Sequence, residues 1–169
     1  MGLEGKFAPS KIDIAIEGNC NNKNADWRIF GVLHAKTSIA ERVKDDAPAS
    51  KTIMEAGYFS SLVTLDSKSF PPPHGDGINY GELGGRRDGQ RNTSPQPKRD
   101  YFEVEADFHY GYSYNLRTPP SKSETPSGSK IRTLSFNEDQ PDEFVKDLTN
   151  WWDKVKQNIC QKQPPTKVL

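Results

Sequence analysis

Apolar residues are scarce in this chain. Only 33% of its 169 residues are hydrophobic and its mean hydropathy is −0.85. No run approaches the roughly 20 apolar residues that cross a bilayer, which excludes a membrane-spanning helix and predicts a compact core with long loops. The opening Met1-Gly2-Leu3-Glu4-Gly5-Lys6 has no apolar signal core, so a soluble, cytoplasmic protein is expected. Cysteine is nearly absent. Cys20 and Cys160 exclude a disulfide framework and a C-x-x-C zinc site, and are expected as free thiols in a reducing compartment. An excess of one charge is absent too, with 23 basic and 23 acidic residues. That removes bulk charge as a route to nucleic acid but leaves room for a local basic surface. No Walker-type loop, dinucleotide fingerprint or Ser/His/Asp order is present, so no organic cofactor is expected.

What the chain does have is alternation. Lys11 to Ile16 alternates, with Ile12, Ile14 and Ile16 on one face and Asp13, Ala15 and Glu17 on the other, which predicts a strand. A turn-rich stretch follows. Then Trp27 to Lys36 predicts a second strand, apolar on both faces, with Arg28, Phe30, Val32, His34 and Lys36 sharing a side. Ser38-Ile39-Ala40-Glu41 has the spacing of a capping box, so a helix is expected to start there, be interrupted at Pro48 and end at Gly57. Ser60 to Asp66, Phe102 to Leu116 (broken, if anywhere, at Gly111) and Ile131 to Phe136 read as further strands. The apolar positions Phe144, Val145, Leu148, Trp151, Trp152, Val155 and Ile159 predict an amphipathic helix opened by Pro141. The whole predicts one α/β domain over residues 1–160: a central mixed β-sheet flanked by helices, with a C-terminal amphipathic helix. Long loops at 67–100 and 118–130 and a disordered tail at 161–169 complete it.

The first two strands carry the chemistry. A short connection pairs them antiparallel, which brings Asp13, near the start of one, beside His34 and Lys36, near the end of the next. A carboxylate and a lysine at one sheet corner, just before a helix start, suit phosphodiester hydrolysis. The acid holds a hard cation, and the lysine stabilises developing charge or orients the attacking water.

At these residues the sequence resembles the PD-(D/E)xK nuclease superfamily, and within it the type II restriction endonucleases. Pro9-Ser10-Lys11-Ile12-Asp13-Ile14 is similar to the family's PD strand, with the proline displaced. Val32-Leu33-His34-Ala35-Lys36 is similar to its (D/E)xK strand, and the capped helix follows as in several restriction enzymes. The resemblance implies Mg²⁺-dependent, site-specific cleavage of double-stranded DNA, with Asp13 as metal ligand and Lys36 as catalytic lysine. His34 stands where the family's second acid belongs. Glu41, in the first turn of the helix, is the expected substitute in catalysis and metal binding; Glu17 is the other candidate ligand. The family core also places a helix and a strand before its PD strand, whereas about ten residues precede Asp13 here, so a nuclease-derived piece is expected. Cleavage of both strands at palindromic sites implies a homodimer.

Other features divide between function and packing. Arg86, Arg87, Arg91, Lys98 and Arg99 crowd the glycine-rich stretch 84–99 and are candidate DNA contacts, as are Asn115 and Arg117. Glu103, Glu105, Asp107 and His109 read as the polar outer face of the strand over 102–116, and Tyr110, Tyr112 and Tyr114 as packing on its other face. His74 reads as an inert loop residue, and Trp151 and Trp152 as core. The competing class is a non-enzymatic binding module using the aromatic strand 102–116 and the basic loop 84–99, or a nuclease-like fragment without activity.

Overall fold

The computed structural model describes residues 12–21, 25–39, 43–65, 83, 98–114, 130–134, 139 and 142–161. The expected Glu41, Arg86, Arg87, Arg91, Asn115, Arg117 and His74, the tail after Gln161 and nearly all of the two long loops lie outside them.

Strands β1 (Ile14–Asn19), β2 (Trp27–Lys36), β3 (Phe59–Thr64), β4 (Gly111–Ser113) and β5 (Ile131–Thr133) form one sheet in that order. β1 pairs antiparallel with β2, and every later pair is parallel. Helix α1 (Val43–Glu55) crosses from β2 to β3; the short α2 (Asp100–Glu103) precedes β4; α3 (Glu143–Gln161) closes the chain of elements. This is the expected mixed sheet with flanking helices, including the C-terminal one. Among the described residues no helix is long and apolar enough to cross a membrane.

The two helices define two cores. Ile39, Val43 and Ala47 of the α1 region pack with Leu62, Phe102, Phe108 and Ile131 on one face of the sheet. On the other, Phe30, Leu33, Phe59 and Tyr112 pack with Phe144, Leu148, Trp151, Trp152, Val155 and Ile159 of α3. The scarce apolar residues are thus spent on two thin layers. Trp152 lies so close to Gly18 that a Cβ there would sit 2.6 Å from its ring, so only glycine fits that point of β1.

Six expectations are corrected. The β1 strand begins at Ile14, leaving Asp13 just before it. The partners of β2 shift register between Ile16 and Glu17. That bulge turns Phe30 to the α3 side with Leu33 while Val32 packs with Ile53 under α1, so strict alternation fails along β2. Pro48 does not interrupt α1, which runs through it. Pro48 is exposed, and its missing N–H would have served the carbonyl of exposed Lys44, which water can reach. The helix does end at Gly57, at φ +86°, with Gly57 and Tyr58 N–H groups donating to Met54 and Ile53 carbonyls.

The long strand over 102–116 is instead α2, an irregular segment and three residues of β4. Ala106 sits at φ +52° and breaks the extended chain. Asp107 is buried, and His109 is half-buried against Trp151 with stacked Phe59, so these side chains are not an outer polar face. Burial is the first cause that holds that imidazole down at about 4, and its Nδ1 accepts the Ser60 N–H. Finally, Cys20 and Cys160 are joined as a disulfide, with Cα atoms 5.5 Å apart. The free-thiol expectation failed because 140 residues separate the two in sequence, and only the packing of α3 on β1 brings them together.

Candidate active site

The corner where β1 enters and β2 leaves the sheet gathers three charged side chains. Lys36, the last residue of β2, projects on the α1 side. Its Nζ donates to Asp13 Oδ2 at 2.9 Å and meets Asp46 Oδ2 at 3.1 Å. Asp13 Oδ2 also accepts the backbone N–H of Ala35 at 2.8 Å. The antiparallel register, pairing Ile14 with Leu33, sets Asp13 opposite the end of β2. Parallel pairing of Lys36 with Thr64 fixes the other side of the strand.

Burial works against both charges here. For Asp13 it is outweighed by the Lys36 hydrogen bond, the Ala35 N–H and the Lys36 charge, so the carboxyl lies below its usual range. For Lys36 burial is outweighed by hydrogen bonds and charge from Asp13 and Asp46, so the ammonium is held above its usual range. The signs follow from linkage. The Asp13 contribution to stability is present above pH 3.8 and lost as pH falls through its lowered folded value. The Lys36 contribution is present below pH 10.5 and lost as pH rises through its raised one. The ion pair therefore persists across neutral pH.

Asp46 is the residue that sequence reasoning missed. It lies in α1 ten positions after Lys36 and is buried, 7% exposed. A signal existed: Val43, Asp46, Ala47, Ser50 and Ile53 form the buried stripe of α1, and an acid on an apolar stripe needs a reason. The reason is Lys36. Glu17, by contrast, is exposed and faces Ile29, four residues along β1 from Asp13. That is roughly 13 Å of extended chain, so it is not part of the corner. His34 is fully buried beneath it, with Nε2 3.3 Å from Ser60 Oγ. Lys98 is half-buried, and Arg99 is buried at the N-terminus of α2, so its guanidinium is not on the open surface.

Among the described residues no three His, Cys, Asp or Glu side chains gather as a ready metal cage. Two carboxylates reaching one ammonium are nevertheless a donor set that suits Mg²⁺. That ion commonly takes one or two protein carboxylates and completes its shell with waters and substrate phosphate.

Comparison with known proteins gives the same direction. The family described as BsaWI restriction endonuclease type 2 matches residues 1–140. The type II restriction enzyme AgeI of Thalassovita gelatinovora is 47% identical over 148 residues, 86% of this chain and 51% of AgeI. The crystal structure of a specific AgeI–DNA complex superposes with a TM-score of 0.70 at 43% identity, over 88% of this chain and 52% of that one. A pre-specific BsaWI–DNA complex superposes at 0.53 with 19% identity, over 94% of this chain and 48% of that one, a likeness of fold. The chain thus spans about half the length of these relatives.

Proposed function

This chain belongs to the BsaWI type 2 restriction endonuclease family, and from that premise we propose that its Asp13–Lys36–Asp46 corner is the cleavage site of a site-specific, Mg²⁺-dependent DNA endonuclease. The observation that carries the reading is the convergence of two carboxylates on one lysine at an accessible strand end: the Asp13 side chain is 37% exposed, Lys36 and Asp46 13% and 10%. Substrate reaches the site past Asp13, while α1 shields Asp46.

The roles follow from chemistry. Asp13 and Asp46 would hold the cation, with Glu41 as the further candidate ligand. Bound there, Mg²⁺ would acidify a water and neutralise phosphate charge. Lys36 would donate to the phosphate oxygen that gains charge. As a flexible point charge it can exchange partners in a way a forked guanidinium cannot. Double-stranded DNA is the partner, with Arg86, Arg87, Arg91, Lys98, Asn115 and Arg117 as its contacts. A homodimer supplies one site per strand; a cytoplasmic location goes with a DNA substrate, and there the Cys20–Cys160 pair would be held reduced. Buried Arg99 is left out of the contact set.

The test is incubation of the protein with plasmid DNA and Mg²⁺. Discrete fragments are expected, vanishing in EDTA and in Lys36→Ala, Asp13→Asn and Asp46→Asn. DNA retained in a binding assay but never cut by the unsubstituted protein would replace this reading with that of an inactive nuclease-like fragment.

A further inference from the structure

Below the charged corner lies a chain of polar groups with no access to solvent. Ser50 of α1, Ser60 of β3 and His34 of β2 are each 0% exposed. Ser50 Oγ and Ser60 Oγ are 2.7 Å apart, and Ser60 Oγ is 3.3 Å from His34 Nε2. The His34 ring is braced edge-on by Phe108, centroids 5.6 Å apart. The chain therefore links one helix to two strands. It joins them one helical turn beyond Asp46 (Ser50 is four residues on, on the same face) and two strand residues before Lys36 (His34 and Lys36 share a side of β2).

Burying three polar side chains is unfavourable unless they satisfy one another. If α1 only needed to adhere to the sheet, apolar residues would hold it as well, as Ile39, Val43 and Ala47 already do. What hydrogen bonds add is direction and distance. We propose that Ser50, Ser60 and His34 are positioning residues for the cleavage site: their hydrogen-bonded chain sets how close and at what rotation α1 lies on β2 and β3, and so aims Asp46 at Lys36 and at the cation it shares with Asp13. None of the three touches substrate. This also gives His34 a use at the position where its resemblance to nucleases led one to expect an acid. The inference rests on the metal-binding reading of the corner.

The experiment measures Mn²⁺ binding to the full chain by electron paramagnetic resonance of the free ion, without DNA. The protein as it stands is compared with Ser50→Ala, Ser60→Ala, the double variant and Ser61→Ala. Ser61 is an equally buried serine of β3 on the opposite face, where its Oγ accepts from Tyr110 N–H, and it serves as the control. Circular dichroism melts report folding in parallel. Expected are a loss of about tenfold or more in Mn²⁺ affinity for Ser50→Ala and Ser60→Ala, the usual effect of removing a group that orients a ligand, with Ser61→Ala unchanged. In the double variant part of the melting-temperature loss of Ser60→Ala is recovered, because the Ser50 hydroxyl is no longer left without Ser60 while His34 Nε2 still is, and Mn²⁺ affinity stays low. Unchanged affinity in the two single variants overturns the inference and leaves the metal reading standing, and so does an equal loss in Ser61→Ala, which marks a mere packing effect. No Mn²⁺ binding by the unsubstituted protein overturns the metal reading and the inference with it.

Discussion

On one face of the sheet Lys36 bridges Asp13 and Asp46; on the other, Arg132 bridges Asp147 and Glu143, with Nε 2.8 Å from Asp147 and an η-nitrogen 3.1 Å from Glu143. Each corner pairs one base with two acids and draws them from a strand and a helix. They differ in what else is present. Asp147 also accepts the hydroxyl of fully buried Tyr112 at 2.8 Å, and Arg132 lies over the Tyr110 ring at 4.9 Å. Its fork is committed on several sides, as suits an arginine used for structure. Burial pushes both the Asp147 carboxyl and the Tyr112 hydroxyl up. The Lys36 corner has a compact, movable ammonium and one acid reaching solvent. The difference teaches that charge clusters announce function less by their composition than by whether a partner can be exchanged.

The largest expected effect that sharpens this contrast is on rate. Lys36→Ala should lower DNA cleavage by about 100-fold or more, the usual loss when a group stabilising developing charge is removed, and should also lower the melting point, because buried Asp46 loses its counter-charge; single-turnover cleavage and a thermal melt check both halves. Arg132→Met should cost stability alone. It leaves buried Asp147 without its counter-charge and should cost about 3 kcal/mol in urea unfolding, with cleavage by the surviving folded protein intact. Equal rate losses from the two would break the comparison.

Removing the Cys20–Cys160 bridge tests the same α3 face. Cys20→Ser should lower stability by about 2–4 kcal/mol, since the bridge closes a very long loop, and a matching loss should follow from reductant in the unsubstituted protein. Tyr112→Phe should cost about 1–2 kcal/mol, because Asp147 keeps Arg132 but loses one donor. The mildest test is acid. His109 is held neutral at about 4 against 6.5 when free. The unfolded chain therefore binds the extra proton between these values, and stability should fall as pH drops from about 6.5 to about 4. His109→Gln should flatten that slope in pH-dependent melts.

Local pattern was a good guide wherever neighbours in sequence decide the outcome. The bounds of β2, the end of α1 at Gly57 and the stripe of α3, save for exposed Val145, were legible, because apolar periodicity and a left-handed glycine act within a few residues. The meeting of Asp13 with Lys36 was legible too, because a short connection forces antiparallel pairing. Phe102 to Tyr114 was misread: alternating aromatics there serve a short helix and an irregular segment, and burial of Phe102 and Phe108 under α1 overrides their strand preference. Asp46 was overlooked because an acid near a helix start is ordinarily a solvated dipole partner.

The sequence by itself determined β1 to β3, α1, β5 and α3 in their order, and an acid and a lysine at neighbouring strand ends. Those follow from period, turn chemistry and short loops. Only the tertiary structure decided that Asp46 completes the corner, that Ser50 and Ser60 join His34 beneath it, and that Cys20 meets Cys160. Each of these depends on how a helix seats on the sheet. That seating is a property of packed surfaces, which residue spacing along the chain does not encode.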